Sequence, residues 1–247
     1  MKCHNRIVTC LALLASTSLL NAATLQQKPA AATKPAIPCV LVQQVNTESP
    51  TSYAMWIAEV NKAIKAKFGF DNYLHVYLGE VAGPDSGVAF AVSRADSFAA
   101  LAANSKAFEK EISLVDARLH MSEIRKLGPQ IAYKAVRFDG VNPGAFVLNT
   151  KAVLSDEAAY LKALDGLRTL FDSHDFKDCK INCYRIASGR TDFSHMISLN
   201  CPSTERRAML MDAINDEAWA QEWIANAGKY RTVVSNGSYH DITPLAN

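Results

Sequence analysis

Residues 104–111 read NSKAFEKE and residues 215–222 read NDEAWAQE, so Asn, Ala, an aromatic ring and Glu recur in the same places 111 residues apart. Upstream, Val76-Tyr77 matches Cys183-Tyr184 at a spacing of 107. Matched segments at nearly constant spacing mark an internal repeat, and the chain around them reads as two passes through one order of elements.

In the first pass, residues 39–45 (CVLVQQV) form an apolar strand. Ser49-Pro50 supplies an N-cap and a first-turn proline, and Tyr53, Trp56, Ile57, Val60, Ile64 and Phe68 follow at helical spacing up to Gly69. Strands 73–82 and 87–93 flank the turn residues Gly83-Pro84-Asp85-Ser86. A helix opening at Asp96 or Ser97 carries Phe98, Leu101, Phe108, Ile112 and Val115, and strand 131–138 closes the unit. After a linker at 139–144, the second pass begins with strand 145–154 and a helix capped by Ser155. Tyr160, Leu161, Leu164, Leu167 and Phe171 line that helix, and strands 180–187 and 193–199 then form a hairpin around Ser188-Gly189-Arg190-Thr191. A helix over 203–228 and a strand over 232–242 complete it.

The order βαββαβ, twice, is an α+β fold of two ferredoxin-like units, 39–139 and 145–243. Each unit has an antiparallel sheet with both helices on one face. The other face, with Val88, Phe90, Val92, Ile131, Val136 and Phe138, is apolar and must be covered. Packing the two sheets together as a single-chain α/β barrel covers both.

The N-terminus and composition set the compartment. Residues 1–23 have Lys2 and Arg6, then an apolar run over 7–20, then small residues, which is the pattern of a secretion signal. Residues 24–38 are a Pro/Ala/Lys-rich lead-in. The apolar run is shorter than the ~20 residues that span a bilayer, so a protein free of the membrane after cleavage, periplasmic or secreted, is expected. Across 247 residues, 49% hydrophobic and 20% charged with 11 Gly and 9 Pro, collagen-like, disordered and heptad-repeat classes are excluded. Loss of the signal lowers Lys+Arg from 26 to 24 against 24 Asp+Glu, and a neutral protein has no electrostatic grip on nucleic acid.

Cys39, Cys179, Cys183 and Cys201 remain after the signal, and export permits disulfides. A hairpin turn centred between Gly189 and Arg190 brings Cys179 within one residue of register with Cys201, so these two are expected to bridge. The pairing of Cys39 and Cys183 stays open. Cys179-x3-Cys183 has no second pair at finger-like spacing, so no zinc site is expected.

The duplicated order, the Gly-Ser turn over 83–87 and the Asn104-Ser105-x-x-Phe108 segment resemble the dimeric α/β-barrel superfamily over residues 39–243. That superfamily holds the antibiotic-biosynthesis-monooxygenase-like, stress-responsive-barrel and NIPSNAP-like families. The resemblance implies a cleft between sheet and helices. Haem-degrading members place a Trp just before the Asn-Ser segment and a haem-ligating His eight residues after the Asn. Here those positions hold Ala102 and Ile112 in one repeat and Ala213 and Trp223 in the other, so haem, or any other cofactor, is not expected.

For a binding site, His75 and Tyr77 share one face of a strand, and Asn182 and Tyr184 are their repeat equivalents. The same hairpin centre places His195 opposite Tyr184. Histidines and phenols converging on a buried face bind a small ligand or exchange protons. The alternative is core aromatics with satisfied histidine partners. Asp172, His174, Asp175 and Asp178 are cation-ligand types in what reads as a solvated loop, so no metal is expected. The leading expectation is an exported barrel, monomeric or homodimeric, that binds a small apolar or aromatic ligand in the sheet–helix cleft. The alternatives are a cofactor-independent monooxygenase-type enzyme and a structural or stress-associated module without a ligand.

Overall fold

Strand β1 (Cys39–Thr47) leads into helix α1 (Pro50–Phe68) through Ser49, whose side chain accepts from the Ser52 amide while Pro50 sits in the first turn. Tyr53, Ile57, Val60 and Ile64 are buried along one stripe of α1, and Gly69 ends it at φ +74° with its amide bonded to the Lys65 carbonyl. The left-handed φ is one that glycine adopts without strain. Asn61, 2% exposed, fastens α1 to the next strand. Its amide donates to the Leu74 carbonyl (2.7 Å) and accepts from the Leu74 N–H (2.9 Å).

Strands β2 (Leu74–Gly79) and β3 (Ala89–Ala95), helix α2 (Phe98–Phe108) and strand β4 (Arg125–Phe138) complete the first unit. The second has strand β5 (Phe146–Leu154), helix α3 (Glu157–Ser173), strands β6 (Lys180–Ser188) and β7 (His195–Cys201), helices α4 (Thr204–Asp216) and α5 (Ala218–Ala227), and strand β8 (Arg231–Asp241). These come from a computed structural model that describes residues 37–71, 73–111, 114, 125–142, 144–190 and 192–244. The expected signal segment 1–23, most of the lead-in, Ile112, Val115 and Thr191 lie outside the described residues. No helix among the described residues is long and apolar enough to cross a membrane.

The eight strands close into one antiparallel barrel in the order β1-β3-β2-β8-β5-β7-β6-β4. The two four-stranded sheets meet at their edges, β2 on β8 and β4 on β6, so closure satisfies all four edge strands. The helices lie outside. In the second repeat Tyr160, Leu164, Leu167 and Phe171 of α3 pack on Ile181, Cys183 and Ile197 of the sheet and on Leu210 of α4. Each such fully buried side chain contributes roughly 1.5–3 kcal/mol.

Several sequence readings shift. Asp156, not Ser155, caps α3, its side chain accepting from the Ala159 amide. The helix expected over 203–228 breaks at Glu217, which is extended (φ −86°, ψ 131°). That break falls after the second residue of the NDEAWAQE match, whereas its counterpart is helical from Asn104 to Phe108 and leaves α2 there, so the 111-residue spacing does not join equivalent helical positions. The structural offset is 106, between the caps Ser97 and Ser203. Val136, expected on the apolar face shared by the two sheets, packs instead with the helix-side core of the second repeat.

Candidate functional site

Alternate residues of a strand point to opposite faces of its sheet. One set supports the helices, and the other looks into the barrel, where residues from all eight strands line a cavity of about 110 Å³. That is somewhat less than the ~150 Å³ apolar void that holds one benzene, so the lumen has no room for more than one ring.

The ladders match the two halves position by position. Val42 faces Val92 across β1 and β3, and the equivalent pair across β5 and β7 is Asn149 with Ser198. Val40–Arg94 corresponds to Val147–Asn200, and Gln44–Phe90 to Lys151–Met196. Tyr77 opposite Phe90 corresponds to Tyr184 opposite Met196. The tyrosine is kept in both halves. So is the valine at 40 and 147, while at the central pair the first half presents two valines and the second an amide and a hydroxyl.

Charge in the lumen is unevenly matched. The Gly83–Asp85 3-10 turn folds so closely over the end of β2 that a Cβ on Gly79 would run into the Asp85 carbonyl. Asp85 accepts from Lys151 Nζ (2.7 Å) and from the Tyr239 hydroxyl (2.9 Å). Arg190 pairs with Asp192. Arg94 has no carboxylate among the described residues, and its one hydrogen bond there runs from Nη2 to the Tyr77 hydroxyl (3.2 Å). Asn149 Oδ1 and Asn200 Oδ1 are buried without a partner among the described residues, although Asn200 Nδ2 donates to Ser198 Oγ (2.9 Å). Native structures rarely leave such acceptors unmatched.

The Tyr133 and Tyr184 rings meet edge to face at 6.3 Å, and among the described residues neither hydroxyl has a hydrogen-bond partner. Desolvation by burial pushes the Tyr77 phenol up to about 12, with Arg94 pulling down and Asp241 pushing up. Burial likewise raises Tyr133, Tyr184 and Tyr239. All four stay protonated at neutral pH, so each phenol has a proton to donate.

Of the residues singled out in the sequence, the structure brings His75, Tyr77 and Tyr184 toward one lumen. Tyr77 and Tyr184 line it, and the His75 ring lies 6.4 Å from that of Tyr77. His75 Nδ1 donates to Asp241 Oδ2 (2.8 Å), which leaves Nε2 as the free ring nitrogen. Asn182, 0% exposed, accepts from the Asp139 amide and donates to the Gly140 carbonyl, both at 2.8 Å, and so clamps the linker between repeats.

His195 is corrected: Met196 stands opposite Tyr184, and His195 stands opposite Arg185. One residue of register turns a side chain to the other face. There His195 donates from Nε2 to Glu157 at the start of α3 (2.7 Å). Cys179 and Cys201 directly follow the Lys180–Asn200 pair and are both fully buried; their sulfurs are unbonded, 3.7 Å apart.

The acidic loop is taken up by arginines, Asp172 by Arg168 and Asp175 and Asp178 by Arg206, while His174 stacks on Trp219. In the second repeat, the layer expected to hold a sheet–helix cleft is instead filled by the α3 core.

The reading of the sequence missed Arg94, Asn149, Asn200, Tyr133, Tyr239 and Asp85 as lumen residues. Asn149-x-Lys151 and Ser198-x-Asn200 place polar groups at alternate positions of otherwise apolar strands, and that was the available signal.

No family model matches the chain, and no curated protein matches it. Among solved structures, it is similar to a candidate monooxygenase from Fusobacterium nucleatum, with TM-score 0.53 and 10% identity over 87% of this chain and 96% of that one. It is also similar to a candidate monooxygenase from Lactobacillus acidophilus, with TM-score 0.50 and 10% identity over 82% and 94% of the two chains. Each likeness spans both repeats, and at this identity each speaks for fold. The chain shares the fold of these two proteins, with two ferredoxin-like units closed into one α/β barrel within a single polypeptide.

Proposed function

We propose that this chain is an exported protein whose barrel lumen binds a small ligand with an aromatic or apolar body. The observation that carries the reading is the lumen itself. A small cavity with Val40, Val42 and Val92 on one side is joined to buried polar groups that have no partner among the described residues. A few converging polar groups in an apolar cavity are the usual make-up of a small-molecule site. Export is supported by the signal-like pattern of residues 1–23. Native mass spectrometry of the exported protein tests the reading. A chain beginning after Ala23, with a small-molecule adduct that is absent in Val92→Trp, is expected. An intact residue 1–23 segment would refute export, and an adduct-free wild type that binds no aromatic probe would refute the binding reading.

A second reading, a cofactor-independent monooxygenase-type enzyme, is favoured by the His75–Asp241 pair beside Tyr77 and by the designation of the two similar structures. In it, His75 Nε2 accepts the proton of an aromatic substrate. Oxygen uptake with a phenolic substrate, lost in His75→Gln, distinguishes it from binding alone.

A further inference from the structure

We infer that the lumen is selective for a small aromatic carboxylate, with Arg94 as the counter-ion and Asn200 as the acceptor for a hydroxyl on the same molecule. This rests on the lumen-binding reading above.

Three cations line the lumen, and two are already matched, Lys151 by Asp85 and Arg190 by Asp192. Among the described residues, Arg94 reaches only a neutral phenol. A guanidinium in a partly desolvated site is stabilised by a carboxylate that its planar fork can hold through two hydrogen bonds. Its position is set by that phenol: Tyr77 accepts from Nη2, which leaves the other guanidinium donors free for an anion.

The second observation is independent. Asn200 is 2% exposed, its Oδ1 has no donor among the described residues, and it occupies in β7 the register position that Arg94 occupies in β3. The two therefore face one region of the lumen from opposite halves. An acceptor buried there calls for a ligand O–H. Val40, Val42 and Val92 supply the surface for a ring between them. The cavity of about 110 Å³ limits the ligand to a single ring.

Calorimetric titration of the full chain at neutral pH with 3-hydroxybenzoate, 3-hydroxybenzamide and toluene tests this. The acid should bind about tenfold or more tightly than its neutral amide, as a charge-assisted hydrogen bond requires. Arg94→Met should abolish that preference, while Arg94→Lys keeps part of it. Should Arg94→Met fail to fold, Tyr77→Phe, which removes only the hydroxyl that orients Arg94, should weaken the acid several-fold and leave the amide unchanged. Equal binding of acid and amide by the wild type, or an unchanged preference in these variants, would overturn the inference. Binding of toluene alone would overturn it while leaving the lumen reading intact, and no binding of any probe would overturn both.

Discussion

The two halves of the barrel share a ladder and differ in what they put inside it. Across β1 and β3 the central lumen pair is Val42–Val92, and across β5 and β7 it is Asn149–Ser198. The outer faces do not differ in this way. Both carry apolar cores under their helices, built on Tyr53 and Ile57 in one half and on Tyr160 and Leu164 in the other. The helix-facing side is held to close packing, because each buried void there costs stability. The lumen is not filled, so its residues can differ between the halves, and at its central pair one half is apolar and the other polar. Tyr77 and Tyr184, like Val40 and Val147, are lumen residues that the two halves share.

The strongest way to break the comparison is to separate the halves. Residues 38–141 alone leave the edges of β2 and β4 unpaired, edges that β8 and β6 cover in the whole chain. The fragment is expected to aggregate, or to dimerise into a barrel with the Val42–Val92 pair on both sides, when followed by light scattering. A soluble, cooperatively folding monomer would show that the halves do not depend on each other.

Next in size is the Cys179–Cys201 pair, two free thiols with no counterpart in the first half. Their sulfurs are 3.7 Å apart and 22 residues apart in sequence, so oxidation should stabilise by ~3 kcal/mol on the chain-entropy model. Urea melts of protein equilibrated with oxidised or reduced glutathione would measure this, with peptide mapping to identify the bond. Free alkylation of both thiols in protein exported under oxidising conditions would rule it out.

The smallest effect makes the halves alike. Asn149→Val, which copies Val42, removes a buried acceptor that has no partner among the described residues and should stabilise the unliganded protein by roughly 1 kcal/mol. Ligand affinity should fall in the same variant. A destabilised variant would mean that Asn149 serves the fold rather than the site.

The fold was legible in the sequence because its signals are local and repeated. The stripe Tyr53–Ile57–Val60–Ile64, the cap Ser49 and the stop at Gly69 need no tertiary context. The hairpin register was legible to within one residue, and the consequences were unequal. The cysteines flanking Lys180 and Asn200 come together as expected, while the same offset moves His195 out of the lumen to Glu157. The lumen residues were harder to see. Whether Asn149 or Leu148 faces the helices depends on which side of the sheet the helices cover, and strand composition does not say. Arg94 lies one residue beyond the strand expected over 87–93 and so was not weighed as a sheet residue.

The most direct test follows the methyl signals of selectively labelled protein by NMR while 3-hydroxybenzoate is added. Val42, Val92 and Val147 lie in the lumen, whereas Leu164 and Leu210 lie in the core between sheet and helices. Saturable shifts of the three valines, with the two leucines unmoved, are expected. Shifts of Leu164 and Leu210 with the valines silent would place the site between sheet and helices and contradict a binding lumen.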